Sequence, residues 1–194
     1  MDSPDKIGAK SKTSSQRIID EYDNVHYISD ELARGGQGVV FRTTDVDLAI
    51  KQPLDKSGDQ DMNANMFKRF QNIRLLPLPP RIPVSLPLAI LRDKPGYVMR
   101  LLNGMTPFEV FEMNGLTKVE IRKHELPKWL KGIPDEQKAL AFYHYAETGS
   151  TRRRLFALSK CASILARLHS AGLVYGDISL KNVFIGDGDS GEVW

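Results

Sequence analysis

Apolar residues are almost absent from the first stretch of the chain and then settle into short, regularly interrupted runs. Residues 1–22 are rich in Ser, Lys and Asp, with hardly an apolar side chain before Ile18. Such a segment buries too little to offset the entropy of ordering, and it reads as a flexible tail. From Val25 onward, β-branched and aromatic runs recur at residues 26–29, 39–42, 48–50, 86–92 and 96–102. Turn residues separate them, Asp93-Lys94-Pro95-Gly96 among them. One helical period intervenes at residues 59–76, where Met62, Met66, Phe67, Phe70 and Ile73 make an apolar stripe behind a candidate cap, Asp59 or Asp61. Pro77, Pro79, Pro80 and Pro83 end it. The first hundred residues therefore predict an antiparallel sheet of five strands with one helix on it, an α+β arrangement.

The second half is more helical. Residues 106–113 predict a short helix, and residues 116–150 a less regular insert broken by Pro127 and Pro134. Between Lys118 and Arg154 there are nine Lys/Arg against five Asp/Glu, interleaved with Trp129, Phe142, Tyr143 and Tyr145. The bland reading is a solvated helical insert whose aromatics pack on the body; the sharper one is a docking surface for an acidic partner. Residues 151–171 carry the clearest helical period, through Leu155, Leu158, Ala162, Leu165 and Leu168 or His169, with Gly172 placed as a C-terminal cap. Cys161 within it suits close packing and reads as an inert core thiol. The apolar runs Leu173-Val174-Tyr175 and Val183-Phe184-Ile185 then bracket a polar loop, and the end of the chain reads as a hairpin with a Gly/Asp turn at 186–191.

Composition narrows the setting. With 194 residues, 41% hydrophobic and 26% charged, the chain can bury a real core. A net charge of +3 is too small to point to nucleic acid. One cysteine excludes an internal disulfide framework and suits a cytoplasmic protein. No apolar run is long enough to span a bilayer, and the four scattered histidines lack zinc spacing.

Three stretches carry candidate chemistry. Gly35-Gly36-Gln37-Gly38 places three glycines in four positions between apolar strands. There the backbone can approach a ligand without intervening Cβ atoms and point N–H groups at phosphates. The same residues also suit a plain hairpin turn. Lys51 ends the strand run of Leu48-Ala49-Ile50, where burial is costly unless an anion meets it; an edge lysine facing water is the ordinary alternative. Asp177 and, five residues on, Asn182 offer a proton acceptor and a cation ligand, or simply turn geometry.

Taken in order, these stretches resemble the protein kinase-like superfamily across residues 25–194, most closely its bacterial eukaryotic-like and atypical Ser/Thr kinases. Leu32-Ala33-Arg34-Gly35-Gly36-Gln37-Gly38-Val39-Val40 is similar to the family's glycine-rich loop, with Ala33 in the first glycine position. Ala49-Ile50-Lys51 is similar to the strand bearing the nucleotide lysine, and Gly96 to Leu102 to the strand entering the hinge, which puts Met99 at the gatekeeper. The resemblance implies a kinase-like N-lobe at 23–102 and a partial C-lobe at 103–194, with the catalytic loop at 173–185. It further implies ATP held by Ala33, Gly35, Gly36, Gly38, Val40, Ala49, Lys51, Met99, Arg100 and Leu102, with Asp177 as base, Lys181 reaching the γ-phosphate and Asn182 on Mg²⁺. Transfer to Ser/Thr of a protein substrate is the activity implied; it calls for no nucleic acid or membrane and leaves the oligomeric state open.

The departures from the family pattern are specific. Tyr175-Gly176-Asp177 replaces H-R-D, and Ser179 and Lys181 replace the usual Lys-Pro pattern. No acidic residue follows Asp61 before Leu76, so Gln71 stands where a glutamate would pair Lys51. The family's D-F-G-type aspartate would come after Trp194, with Asp187 and Asp189 poor substitutes, so a shortened domain with weak or no turnover is expected. Two other readings stay open: a kinase-like scaffolding module without chemistry, and a small-molecule kinase of the aminoglycoside or choline type.

Overall fold

A computed structural model describes residues 16–113, 126–186 and 192–194. The expected tail up to residue 15, the start of the basic insert and the Asp187/Asp189 turn lie outside the described residues. The chain divides into two compact units, one of Met1–Leu76 with Ser85–Leu102 and one of Pro77–Val84 with Asn103–Trp194.

The first unit is a curled antiparallel sheet. Its strands are β1 (Gln16–Ile19), β2 (Val25–Gly35), β3 (Gly38–Thr43), β4 (Leu48–Pro53), β5 (Ala89–Ile90) and β6 (Tyr97–Arg100), in the order β1-β2-β3-β4-β6-β5. The sheet has six strands where five were expected, because part of the predicted tail is β1. Gln16-Arg17-Ile18-Ile19 is long enough to pair with Val25 to Ile28, and it buries Ile18. The two outermost strands also approach one another: Glu21 N–H donates to Ile90 O at 2.8 Å and Arg92 N–H to Ile19 O at 2.9 Å, with an isolated bridge between Asp20 and Leu91. Meeting edge to edge satisfies backbone groups that an open sheet would leave exposed.

Asp20 stands at that seam, 2% exposed. Its carboxylate accepts from the Tyr22 and Asn24 backbone N–H groups, from Asn24 Nδ2 and from His26 Nε2 at 3.0 Å. Burial alone would push its pKa up, but the hydrogen bonds from His26, Asn24 and Tyr22 outweigh that and hold it below the usual carboxylate value. The inner face of the curl packs Ile18, Ile28, Ile50, Ala89, Leu91 and Val98 into one core, with Phe41 and Leu48 against it.

The helix of this unit, α1, runs Asn65–Arg74 rather than 59–76. The missing turns are taken by Asp55 Oδ1, which accepts from Ser57 N–H and Asp59 N–H, and by Asp61 and Asn63, which each accept from the backbone two residues on. Such local side-chain bonds compete with the helix. Phe70 is its buried anchor and meets Tyr97 edge-on at 4.9 Å, whereas Met62 lies outside the helix and is exposed.

In the second unit, the helix expected at 106–113 is instead β7 (Met105–Pro107) followed by a 3₁₀ turn at Phe108–Phe111. The less regular insert contains α2 (Glu136–Glu147), capped by Asp135, whose Oδ1 accepts from Gln137 and Lys138 N–H. Its aromatics divide: Tyr143 and Tyr145 are half-buried, but Trp129 and Phe142 are exposed. Helix α3 (Ser150–Ser170) falls where the period placed it. Its packed face is the expected stripe only at Leu168, which is buried, since Leu155 and Leu158 are 60% and 56% exposed. Ala157, Cys161, Ile164 and Leu168, also at helical spacing, turn inward; Ala157, Cys161 and Ile164 join Phe108, Ile185 and Val193 in the core. Two apolar stripes run along this helix, and periodicity cannot choose between them. Burial pushes the Cys161 thiol up, in keeping with an unreactive packing role.

Candidate functional site

The pairing register of the first unit sorts the residues singled out from sequence. Across antiparallel neighbours, opposed residues share a face. Ala33 opposes Val40, Gly35 opposes Gly38, Val40 opposes Lys51, and Ala49 opposes Met99. These residues therefore stand on the outer face of the curl, away from the Ile28/Ile50/Val98 core. Arg100 opposes Leu48 and has the other parity, while Leu102 lies just past β6. Leu101 N–H donates to Asp47 O at 2.8 Å, which ties the end of β6 to the start of β4.

The tip of the glycine hairpin is open. A Cβ built on Gly35 or Gly36 meets nothing within 4 Å. Gly38 is different: its Cβ would lie 2.8 Å from Gln52 O and 3.4 Å from Lys51 Cε. That glycine lets β3 and β4 close on each other, because any side chain there would run into the Gln52 carbonyl. Register shifts between Ile28, Glu31 and Ala33 twist β2 ahead of the hairpin, and Arg34 grips Glu31 through Nε–Oε1 at 2.9 Å and a second guanidinium contact at 2.6 Å.

Lys51 is half-buried, and its ammonium makes no hydrogen bond or ion pair among the described residues. Gln71, expected beside it, is exposed on α1 and makes no such bond either. Tyr97, opposite Lys51 in the register, is neutral: burial pushes its hydroxyl up to about 12, with Arg69 acting the other way. The outer face thus presents one ammonium with no partner in its own unit.

The Asp177 loop lies in the second unit. Helix α3 ends in a full Schellman arrangement: Gly172 at φ 74°, its N–H on His169 O at 2.9 Å, and Leu173 N–H on Leu168 O at 3.0 Å. Residues 173–179 then run without regular structure, Val174 and Ile178 being 83% and 71% exposed. The sequence reading placed this loop between two buried strands; only the second, β8 (Phe184–Gly186), forms. It pairs with β7, and its other edge with Val193 and Trp194, so the expected terminal hairpin is present.

Within the loop, Asn182 Nδ2 donates to Asp177 O at 3.0 Å and Asn182 N–H to Ser179 O at 3.0 Å. Lys181 N–H donates to Ser179 Oγ at 3.2 Å. Ser179, which seemed a mere departure from the family pattern, is therefore the pivot of the turn. The Asp177 carboxylate is exposed and makes no hydrogen bond among the described residues. Burial and the Asp177 charge both push the Tyr175 hydroxyl up. The Lys181 ammonium lies 3.7 Å from Glu109 Oε1 in an exposed pair, worth little energetically.

A divalent cation needs oxygen donors. The loop offers two: the Asp177 carboxylate, and Asn182 Oδ1, since the amide nitrogen is the atom turned to the backbone. No group of three or more His, Cys, Asp or Glu forms a metal site among the described residues. Of the loop's two donors, Asn182 Oδ1 is the expected metal ligand, and it would suit a Mg²⁺ ion that took its remaining ligands from phosphate and water.

No protein-family model matches the sequence, and no curated protein matches it. Among solved structures, the chain is similar to vaccinia related kinase 3, with a TM-score of 0.53 and 12% identity over 95% of this chain. The match covers 50% of that protein's chain, so this chain spans half its length. With the curled sheet, its single helix and the β7–β8 pair whose two strands lie on either side of a long helix in the sequence, this likeness gives the chain a protein kinase-like fold.

Proposed function

We propose that this chain belongs to an ATP-dependent phosphotransferase acting on Ser/Thr of a protein, with weak turnover. The observation that carries the reading is the outer sheet face, where the register gathers Ala33, Val40, Ala49, Lys51 and Met99 beside a hairpin open at Gly35 and Gly36. Lys51 would neutralise phosphate charge, the hairpin N–H groups would cover it, and backbone near Arg100 and Leu102 would hold the base. Asp177 would accept the hydroxyl proton of the acceptor, its exposed carboxylate leaving room for a substrate. Asn182 Oδ1 would ligate Mg²⁺, which neutralises charge on the transferred phosphate when bound. Turnover is expected to be weak because no acidic group among the described residues holds Lys51 in place.

Thermal denaturation with ATP, with and without Mg²⁺, tests the binding half: a stabilisation that needs Mg²⁺ and disappears in Lys51→Ala supports it. Transfer of labelled γ-phosphate to a mixed Ser/Thr peptide library tests the chemistry. Slow transfer lost in Asp177→Asn is the expected result. Absence of any nucleotide response in the wild type would leave a scaffolding module, the reading that the unpartnered Lys51 favours next.

A further inference from the structure

The second unit also carries a groove of about 470 Å³ bordered by Arg81, Lys160, Ser163, Ile164, Arg167 and Trp194. Its charge originates in an unusual helix. Ser150–Ser170 contains Arg152, Arg153, Arg154, Lys160 and Arg167 and no Asp or Glu. Two of these cations have internal work. Arg153 donates to Gly186 O at 3.1 Å; Arg154 lies over the Phe111 and Tyr145 rings and donates to Ser150 O and Thr148 Oγ1. Lys160 and Arg167, seven residues apart and so on one side of the helix, both border the groove with Ser163 and Ile164 between them.

A third cation arrives from another part of the chain. The proline segment holds Arg81 at φ 55°, in the left-handed region that non-glycine residues seldom occupy. The segment is fixed there by Ile82 N–H on Pro79 O at 3.2 Å and by an Arg167 guanidinium N–H on Pro80 O at 2.5 Å. Arg167 thus spends one donor on the wall and keeps the rest. None of the three cations has an ion pair among the described residues; Lys160 rests 5.2 Å from the Phe156 ring centroid. Glu192 is the one carboxylate in the lining, and Pro83, Ile164, Val193 and Trp194 supply its apolar side.

From this we infer that the groove is a binding site for a phosphate monoester on a flat apolar body. Arg81, Lys160 and Arg167 would hold the dianion, with Trp194 and Ile164 against the ring. Two guanidinium forks suit a tetrahedral oxyanion, and the volume suits a small molecule. Glu192 on the same wall disfavours a long polyanion, which would have to bring further charges past it. The site does not depend on the proposed nucleotide site, whose sheet residues lie in the other unit.

The test follows Trp194 fluorescence in the full chain carrying Trp129→Phe, titrated with phenyl phosphate, phenol and inorganic phosphate. Saturable quenching by phenyl phosphate is expected, at least tenfold tighter than by either fragment. Lys160→Gln and Arg81→Gln, both at exposed positions, should each weaken it about tenfold, and Arg167→Lys should do so by less. Lys51→Ala should leave it unchanged. A phosphotyrosyl pentapeptide that binds more tightly than phenyl phosphate assigns the ligand to a protein; equal affinity assigns it to a free monoester. The inference is overturned if phenol binds as well as phenyl phosphate, if the Lys160 and Arg81 variants bind like wild type, or if Lys51→Ala abolishes the signal.

Discussion

Lys51 sits on a strand paired on both sides, whereas Asp177 sits on backbone that makes no backbone–backbone hydrogen bond between Leu173 and Ser179 among the described residues and is held there by the Asn182 side chain. The lysine's position is set by ladder register and by a core behind it; moving it one residue would turn the Ile28/Ile50/Val98 face outward. The aspartate's position is set at two ends, by the helix cap at Gly172 and by the Asn182 side chain. Charge placement on the sheet is therefore tied to the stability of its unit. On the loop the two are nearly separate, so chemistry there can be altered with little cost to folding.

Variants can break or sharpen this contrast. The largest effect is expected at the seam of the sheet: Asp20→Ala removes a buried carboxylate that accepts four hydrogen bonds from part-buried donors, His26 among them, and should destabilise the first unit by about 3 kcal/mol. Urea unfolding followed by amide signals of β1 and β5 measures it, and a loss below about 1 kcal/mol would show that the seam does not hold the curl. Next comes Gln52→Leu on the same sheet. The Gln52 Nε2 is buried with no partner among the described residues, so the exchange should stabilise the unit by about 1 kcal/mol. On the loop side, Gly172→Ala forces a Cβ into the left-handed conformation and should cost about 1 kcal/mol at the end of α3. Asn182→Ala removes an exposed bond and should cost about 0.5 kcal/mol while loosening residues 177–182, visible as faster amide exchange there. Equal global destabilisation by Asn182→Ala and Asp20→Ala would end the distinction.

The smallest effect is one of pH. Burial holds the His144 imidazole below its usual 6.5, the Val110 carbonyl opposing and Arg154 reinforcing the shift. As pH falls below 6.5, the unfolded chain takes up a proton that the folded one resists, so the second unit should lose stability, most of it above the folded pKa. His144→Gln should flatten that slope. Asp20, whose folded pKa lies below 3.8, contributes above that value and loses its contribution only as pH falls further. Melting each unit between pH 7 and pH 5 should therefore soften the second and spare the first.

Much of the first unit was legible because its strands announce themselves by composition, which put Lys51 and Met99 on strands and the glycines between two of them. β1 was missed because Ile18 and Ile19 are too few to stand out in a polar run; what recruits them is the Asp20 seam, a tertiary event. Helix α1 was drawn too long because Asp55, Asp61 and Asn63 satisfy the backbone locally. For α3 the span was legible and the face was not, since Leu155/Leu158 and Ala157/Cys161 carry the same periodicity. In the loop, Asp177 and Asn182 were legible as a pair. Nothing in the sequence showed that Asn182 would spend its nitrogen on Asp177 O and keep its oxygen.

The long carboxylate-free helix has a consequence for how the protein answers to ionic strength. Arg152, Arg153 and Arg154 crowd the end of α3 where the peptide dipoles are already positive, and no acidic neighbour on the helix relieves them. Added salt should then screen a repulsion rather than an attraction. Raising NaCl from about 0.05 M to about 0.5 M, a range that shortens the screening length below the spacing of successive turns, should raise the melting temperature of the second unit. In the first unit, where Glu21–Arg74 and Asp23–Arg92 pair opposite charges, the same salt should have the opposite sign.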